Sequence, residues 1–224
     1  MVTQLPSTGA PGCDTSDMTM IHGYFRLLFG QAPGQAEAVA EGDVARAEVV
    51  ADHFAWIADT LHHHHEGEDR LLWDQLEARN PACSAHVSEM RRDHAAMSGE
   101  LAALEAALPA WRADASAAHR TTVLYALNGI LALLTQHLGA EEKQILPVAA
   151  AALTQKEWDK LGEHGRASVP GKFKFIQLGY ILESQGVAAP AWLKANLPAP
   201  VRLLWRLVGR PQFEKYRTAL FAHG

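Results

Sequence analysis

Two segments constrain this chain more than any others: LHHHHEGED at Leu61–Asp69, and LLTQHLGAEEKQIL, which carries His137 and Glu141. His64 and Glu68 are four residues apart, as are His137 and Glu141. On a helix, side chains at that spacing leave the same face one turn apart. Ile57, Leu61, Leu71 and Leu72 fall on the face of the first pair. Leu127, Ile130, Leu131, Leu134 and Ile145 fall on that of the second. An imidazole and a carboxylate therefore point twice into an apolar interior, where neither is stable without a partner. Metal coordination satisfies both.

The surrounding pattern is helical. β-branched alternation is scarce and Gly and Pro cluster at a few joints, which gives an all-α expectation. Residues 1–16, rich in Pro, Gly, Ser and Thr, read as a flexible N-terminal segment. A first helix is expected over 17–29, with His22 set among Met18, Ile21, Phe25, Leu28 and Phe29. Gly30–Gly42 reads as a loop. A second helix covers 43–76, where Gly67 permits close approach of a neighbour. A third covers 82–108 with the stripe Val87, Met90, His94, Met97, Leu101, Leu104, Leu108. Pro109–Ser116 is expected to turn the chain, and a fourth helix covers 117–152 with a kink at Pro147. Short connections between four long helices predict an up-down-up-down four-helix bundle over 17–155.

Beyond it the texture changes. Thr154 and Glu157 form a capping-box pattern. Residues 156–224 read as a helical C-terminal extension of short helices, broken at Gly186–Pro190, Pro198, Pro200 and Pro211 and packed on the bundle. Within 172–224 there are eight Lys/Arg against Glu183 and Glu214, a net of +6; the rest of the chain holds 12 basic and 23 acidic side chains, a net of −11. Such a basic segment packs on the acidic body or offers a contact surface to a protein or a membrane. Nothing in the motifs points to nucleic acid. Cys13 and Cys83 form no framework and no C-x-x-C motif. No unbroken apolar run reaches about 18 residues and no basic-then-apolar leader is present, so a cytoplasmic location is expected.

The inward-facing polar residues are His22 on the first helix, His64 and Glu68 on the second, His94 on the third, and His137 and Glu141 on the fourth. A lone His22 or His94 would read as a hydrogen-bonded core histidine; beside two His/Glu pairs each becomes a candidate ligand. Two metals bridged by two carboxylates, with histidines capping each, use all six, and the donor set suits iron, manganese or zinc. His62, His63 and His65 are assigned away from His64. A second helix rotated by one residue would present His65 and Asp69 instead. His86, about 80° around the helix from His94, reads as an edge residue. Asp69 and Asp93 are candidate acceptors that orient ligand imidazoles, His53 and His119 are assigned to solvent, and His164 to the surface.

The order His22, His64-x-x-x-Glu68, His94, His137-x-x-x-Glu141 resembles the hemerythrin-like, HHE cation-binding domain over about residues 15–155. The resemblance implies two iron ions joined by an oxo or hydroxo bridge, with the four histidines as terminal ligands and Glu68 and Glu141 as bridges. Two departures stand out. Oxygen-carrying relatives have a second histidine four before the one on the third helix, where this chain has Met90. Their last carboxylate is an aspartate five after its histidine, where this chain has Glu142; Glu141 is preferred because it repeats the His64/Glu68 spacing. One histidine on the third helix resembles iron-sensing and iron–sulfur-repair relatives more than oxygen carriers, and frees a coordination position. The implied function is catalase- or peroxidase-like redox chemistry on hydrogen peroxide, oxygen or nitric oxide. The alternatives are a sensor or carrier of oxygen, iron or nitric oxide without turnover, and a helical protein with one structural metal.

Overall fold

The computed structural model describes residues 12–221, so most of the expected flexible segment lies outside the described residues. The described residues are all-α, with no strand; the one β-type contact among them is an isolated bridge between Gly12 and Thr154. The α-helices in order are α1 Ser16–Glu37, α2 Val44–Leu71, α3 Trp73–Arg79, α4 Ser84–Asp114, α5 Ala117–Gln144, α6 Leu146–Ala152, α7 Gln155–Ser168, α8 Lys174–Gln185, α9 Ala189–Asn196, α10 Ala199–Leu204 and α11 Arg210–Phe221.

Local chemistry sets the helix starts. The Asp43 carboxylate accepts the Arg46 N–H at 3.0 Å, and Ser116 Oγ accepts the His119 N–H. Thr154 and Glu157 form the complete capping box at the head of α7. Two expected breaks are absent. α1 continues through Gly30–Glu37, because Ala32, Gln35 and Ala36 keep one buried face in register; packing outweighs the cost of Pro33. α4 continues through Pro109 to Asp114, where Ala115 takes a left-handed conformation. Pro109 is exposed, so solvent can serve the carbonyl it leaves without a donor. Pro200 and Pro211 likewise lie inside or at the start of helices rather than ending them.

The long second and fourth segments do break, each four residues after its glutamate. Leu72 and Ile145 leave ideal helical geometry while their N–H groups still bond to Glu68 and Glu141 carbonyls. Pro147 accounts for the second break, since its ring removes a helical bond. Four long helices surround the interior: α1 and α4 each pack against both α2 and α5.

Two apolar clusters fill that interior, one around Phe25, Leu61, Met97 and Leu134, the other around Met18, Leu72, Met90 and Ile145. Each helix crosses from one to the other, and its histidines and glutamates fall in between. α1 and α4 run from the second cluster to the first; α2 and α5 run from the first to the second. The segment Ala117–Ala152 is long and apolar enough to cross a membrane by composition alone, yet its buried face carries His137 and Glu141.

The C-terminal helices lie against the long ones. α8 packs on α1, α7 on α2, and α11 on α2 and α8. Trp56 stacks on Phe173 at 4.7 Å, and Tyr180 meets Phe213 edge-on at 5.0 Å. His53, assigned to solvent from the sequence, is fully buried, and its Nδ1 pairs with the Tyr216 hydroxyl at 3.0 Å. Burial alone holds that imidazole neutral, with a pKa lowered to about 3. The Arg46 guanidinium donates to the carbonyls of Ala219 and Leu220 at the end of α11. Leu203, Leu204, Leu207 and Val208 stay exposed beside Arg202, Arg206 and Arg210.

Gly179 marks the tightest contact of this extension. A Cβ there would sit 2.2 Å from Cγ of the buried Phe213. Gly179→Ala is expected to cost about 1–3 kcal/mol and to lower the melting temperature by roughly 3–10 °C. A thermal melt followed by circular dichroism checks this; a midpoint unchanged within about 1 °C contradicts it.

Candidate metal centre

α1 contributes His22, α2 contributes His64, His65 and Glu68, α4 contributes His94, and α5 contributes His137 and Glu141. All are buried except His64, which is nearly so. They converge. His22 Nε2 lies 3.2 Å from Glu141 Oε2, and His64 Nε2 lies 3.2 Å from Glu68 Oε1. His94 Nε2 is 3.3 Å from Glu68 Oε2 and 3.2 Å from His137 Nε2, which is 3.8 Å from Glu141 Oε2. The His65 ring stacks on His94 with centroids 4.2 Å apart and meets His137 edge-on at 5.1 Å.

The donor atoms sort into two groups: His22, His64 and Glu68; and His65, Glu68, His94 and His137, each with its ligand atoms within 4.8 Å of one another. Glu68 belongs to both, one oxygen facing His64 and the other His94. Glu141 Oε2 lies between His22 of the first group and His137 of the second.

These atoms are close without being paired. His22 Nε2, His64 Nε2, His65 Nε2 and all four oxygens of Glu68 and Glu141 are buried with no hydrogen-bond partner. Several lie near 3.2 Å from one another, yet the geometry of a hydrogen bond is missing. Adjacent donors about 2.1 Å from one ion stand about 3 Å apart. The side chains are thus aimed at shared points between them. Left empty, such points would strand several buried polar groups, each costing about 1–3 kcal/mol.

A second set of carboxylates orients the rings. The imidazole of His94 donates from Nδ1 to Asp69 at 2.8 Å, and His22 donates from Nδ1 to Glu142 at 3.0 Å. Each ring is thereby turned so that Nε2, the nitrogen a metal would take once its proton is lost, faces inward. Trp73 Nε1 also donates to Asp69, and Arg26 holds Glu142. Asp93 approaches His137 Nδ1 only to 3.5 Å, without forming a hydrogen bond.

The electrostatics follow from this crowding. Burial alone would lower His22, but Glu141 and Glu142 outweigh it and hold the imidazole at about 9. For His94, Asp69 and Glu68 overcome burial in the same way, again giving about 9. Burial, then the neighbouring Glu141 charge, raises Glu68 to about 7. Glu141 is lowered, because His22 outweighs burial. Burial keeps His64, His65 and His137 neutral.

His65 departs from the sequence reading. Assigned away from the interior, it lies in the cluster, while His64 keeps its place, so the rotated-helix alternative is replaced by both histidines facing inward. His65 is four after Leu61 and three before Glu68, which puts it on the buried stripe that continues to Leu72. Asp69 and Glu142 contact ligand rings rather than the interior points. His86 makes no contact with the cluster among the described residues. His164, assigned to the surface, is partly buried: it packs over Gly67 and its Nε2 donates to the His63 carbonyl at 3.2 Å.

A family model described as "Hemerythrin HHE cation binding domain" matches residues 13–149. No curated protein and no solved structure matches the chain.

Two outcomes are expected. Glu68→Ala removes the carboxylate common to both groups, so metal content measured by mass spectrometry should fall by at least about half; Glu142→Ala should retain metal with affinity weakened about 10- to 100-fold. Unchanged metal content in Glu68→Ala contradicts the shared role. The second outcome concerns pH. A metal binds the deprotonated donors, and near pH 7 His22 and His94 carry protons while Glu68 is about half protonated. Loading should therefore release roughly two to three protons, and affinity should rise with pH up to about 9. Calorimetry in buffers of different ionisation enthalpy reads that number, and a release near zero contradicts it.

Proposed function

This chain belongs to the hemerythrin family of HHE cation-binding domains, and from that premise we propose that it is a non-heme di-iron protein that turns over hydrogen peroxide, with oxygen and nitric oxide as related ligands. The observation that carries this reading is the pair of donor groups sharing Glu68, with buried ligand atoms aimed at common points. Iron would be held by His22, His64 and Glu68 on one side and by His65, Glu68, His94 and His137 on the other, with Glu141 placed between His22 and His137. Iron held there supplies one-electron redox chemistry and Lewis acidity to a small oxidant.

The chain's own residues do the rest. Asp69 and Glu142 fix the tautomer and direction of two imidazoles. The apolar clusters on either side leave the donor layer open mainly toward the cavity that His64 and Glu68 line. We read the four long helices as an up-down-up-down bundle, which is supported by the alternating direction in which successive helices cross those clusters.

A second reading, a sensor or carrier without turnover, draws on the contact of α7 with α2 at Gly67, one residue from Glu68. There the extension touches the donor helix directly, so metal state could pass to residues 155–221.

Turnover separates the two. Iron-loaded protein is expected to evolve one oxygen molecule from two of hydrogen peroxide, and Glu68→Ala to lose at least about a hundredfold of that rate. Reversible binding of nitric oxide without oxygen evolution, together with a metal-dependent change in protease cleavage within 155–221, would decide for the sensor.

A further inference from the structure

A cavity of about 580 Å³ opens against one side of the donor layer. His64 and Glu68 form part of its lining, and Ile21, Phe25, Leu161, Ile181 and Trp192 give it apolar walls. The family domain ends at residue 149. Leu161, Ile181 and Trp192 all lie beyond that point, on α7, α8 and α9. This space is therefore walled on one side by the extension and on the other by α1 and α2.

Its size is informative. A water molecule fills about 30 Å³ of liquid, so a peroxide or a diatomic gas needs under a tenth of this cavity. Pockets of about 300–1,000 Å³ with apolar walls and a few placed polar groups are those of organic ligands. Several polar groups of the lining have no partner: the buried Nε2 of His64 and oxygens of Glu68, and the solvent-exposed Arg166. Arg166 folds back over Gly162, where its guanidinium would lie 2.9 Å from an added Cβ, and it forms no ion pair or hydrogen bond among the described residues. The carboxylate of Asp17, also in the lining, is already engaged by Trp158 Nε1 at 2.8 Å. Gly67 keeps the α7 wall in place, because an added Cβ there would lie 2.7 Å from His164.

We propose that this cavity binds an amphipathic organic acid, with its anionic group at Arg166, its apolar chain along Ile21, Phe25, Leu161, Ile181 and Trp192, and its far end against His64 and Glu68. The proposal rests on the metal-centre reading only for what that far end meets. The binding site itself stands on the cavity. It assigns the extension a role as the wall of an organic-ligand site, and it extends the range of molecules that reach the donor layer beyond gases and peroxide.

The test uses the full chain, metal-free and iron-loaded, titrated with decanoate and with decan-1-ol while intrinsic tryptophan fluorescence is followed; Trp158 and Trp192 line the cavity. Both probes should bind saturably, decanoate more tightly. Arg166→Glu should weaken decanoate about tenfold and decan-1-ol less than about twofold. Ile181→Trp fills the space and should weaken both about tenfold or more, with melting temperature and iron content measured to confirm an intact chain. Absence of saturable binding to the wild-type chain overturns the proposal, as does unchanged binding of both probes in a folded Ile181→Trp. Equal effects of Arg166→Glu on acid and alcohol overturn the anionic assignment. A chain that binds decanoate but takes up no iron upholds the cavity site and counts against the metal-centre reading instead.

Discussion

Two glutamates and five histidines buried among hydrocarbon form the constraint on which the rest of the structure depends. Apolar clusters lie above and below this layer, so water can reach it only from the side where the cavity borders His64 and Glu68. A buried carboxylate left alone costs several kcal/mol and tends to take up a proton; burial, then the Glu141 charge, raises Glu68 in this way. Opposite behaviour of two glutamates in one layer is instructive. Glu141 keeps its charge because a protonated His22 sits 3.2 Å away, whereas Glu68 must share the remaining positive charge. The layer is poised to exchange protons for metal, and every helix that crosses it is held in register by that demand.

The two halves of the molecule solve this problem in the same way. In each, a histidine and a glutamate four apart are followed, four residues later, by a break that redirects the chain into the second apolar cluster. Beyond the first break, Trp73 reaches back to Asp69, which in turn fixes His94. The second break carries α6 to Leu153 and the capping box of α7, which docks on α2 beside Gly67. The positions that end the helices are thus the positions from which the second layer of support is built.

Much of this was legible from residue spacing alone. The His64/Glu68 and His137/Glu141 pairs, and His22 and His94 on their stripes, could be read because a polar residue at an apolar period is conspicuous. His65 could not be read that way. In a run of four histidines the apolar face passes between two adjacent residues, and the four-residue spacing to Glu68 favoured His64 alone. Pro33 and Pro109 misled for a different reason. Local propensity names them as breakers, whereas buried neighbours on each side hold the helix through them. His53 carried no local signal, since its partner Tyr216 lies 163 residues away.

The recovered histidine changes the distribution of donors as well as their number. The groups are unequal: His65, His94 and His137 gather in one, but only His22 and His64 face Glu68 in the other. His65 joins the larger group from α2, on a different helix from Met90, the α4 residue four before His94. The less crowded position is the one whose His64 borders the cavity walled by α7, α8 and α9. The asymmetry of the donors and the placement of the extension thus fall on the same face, where the cavity borders the group with fewer histidines.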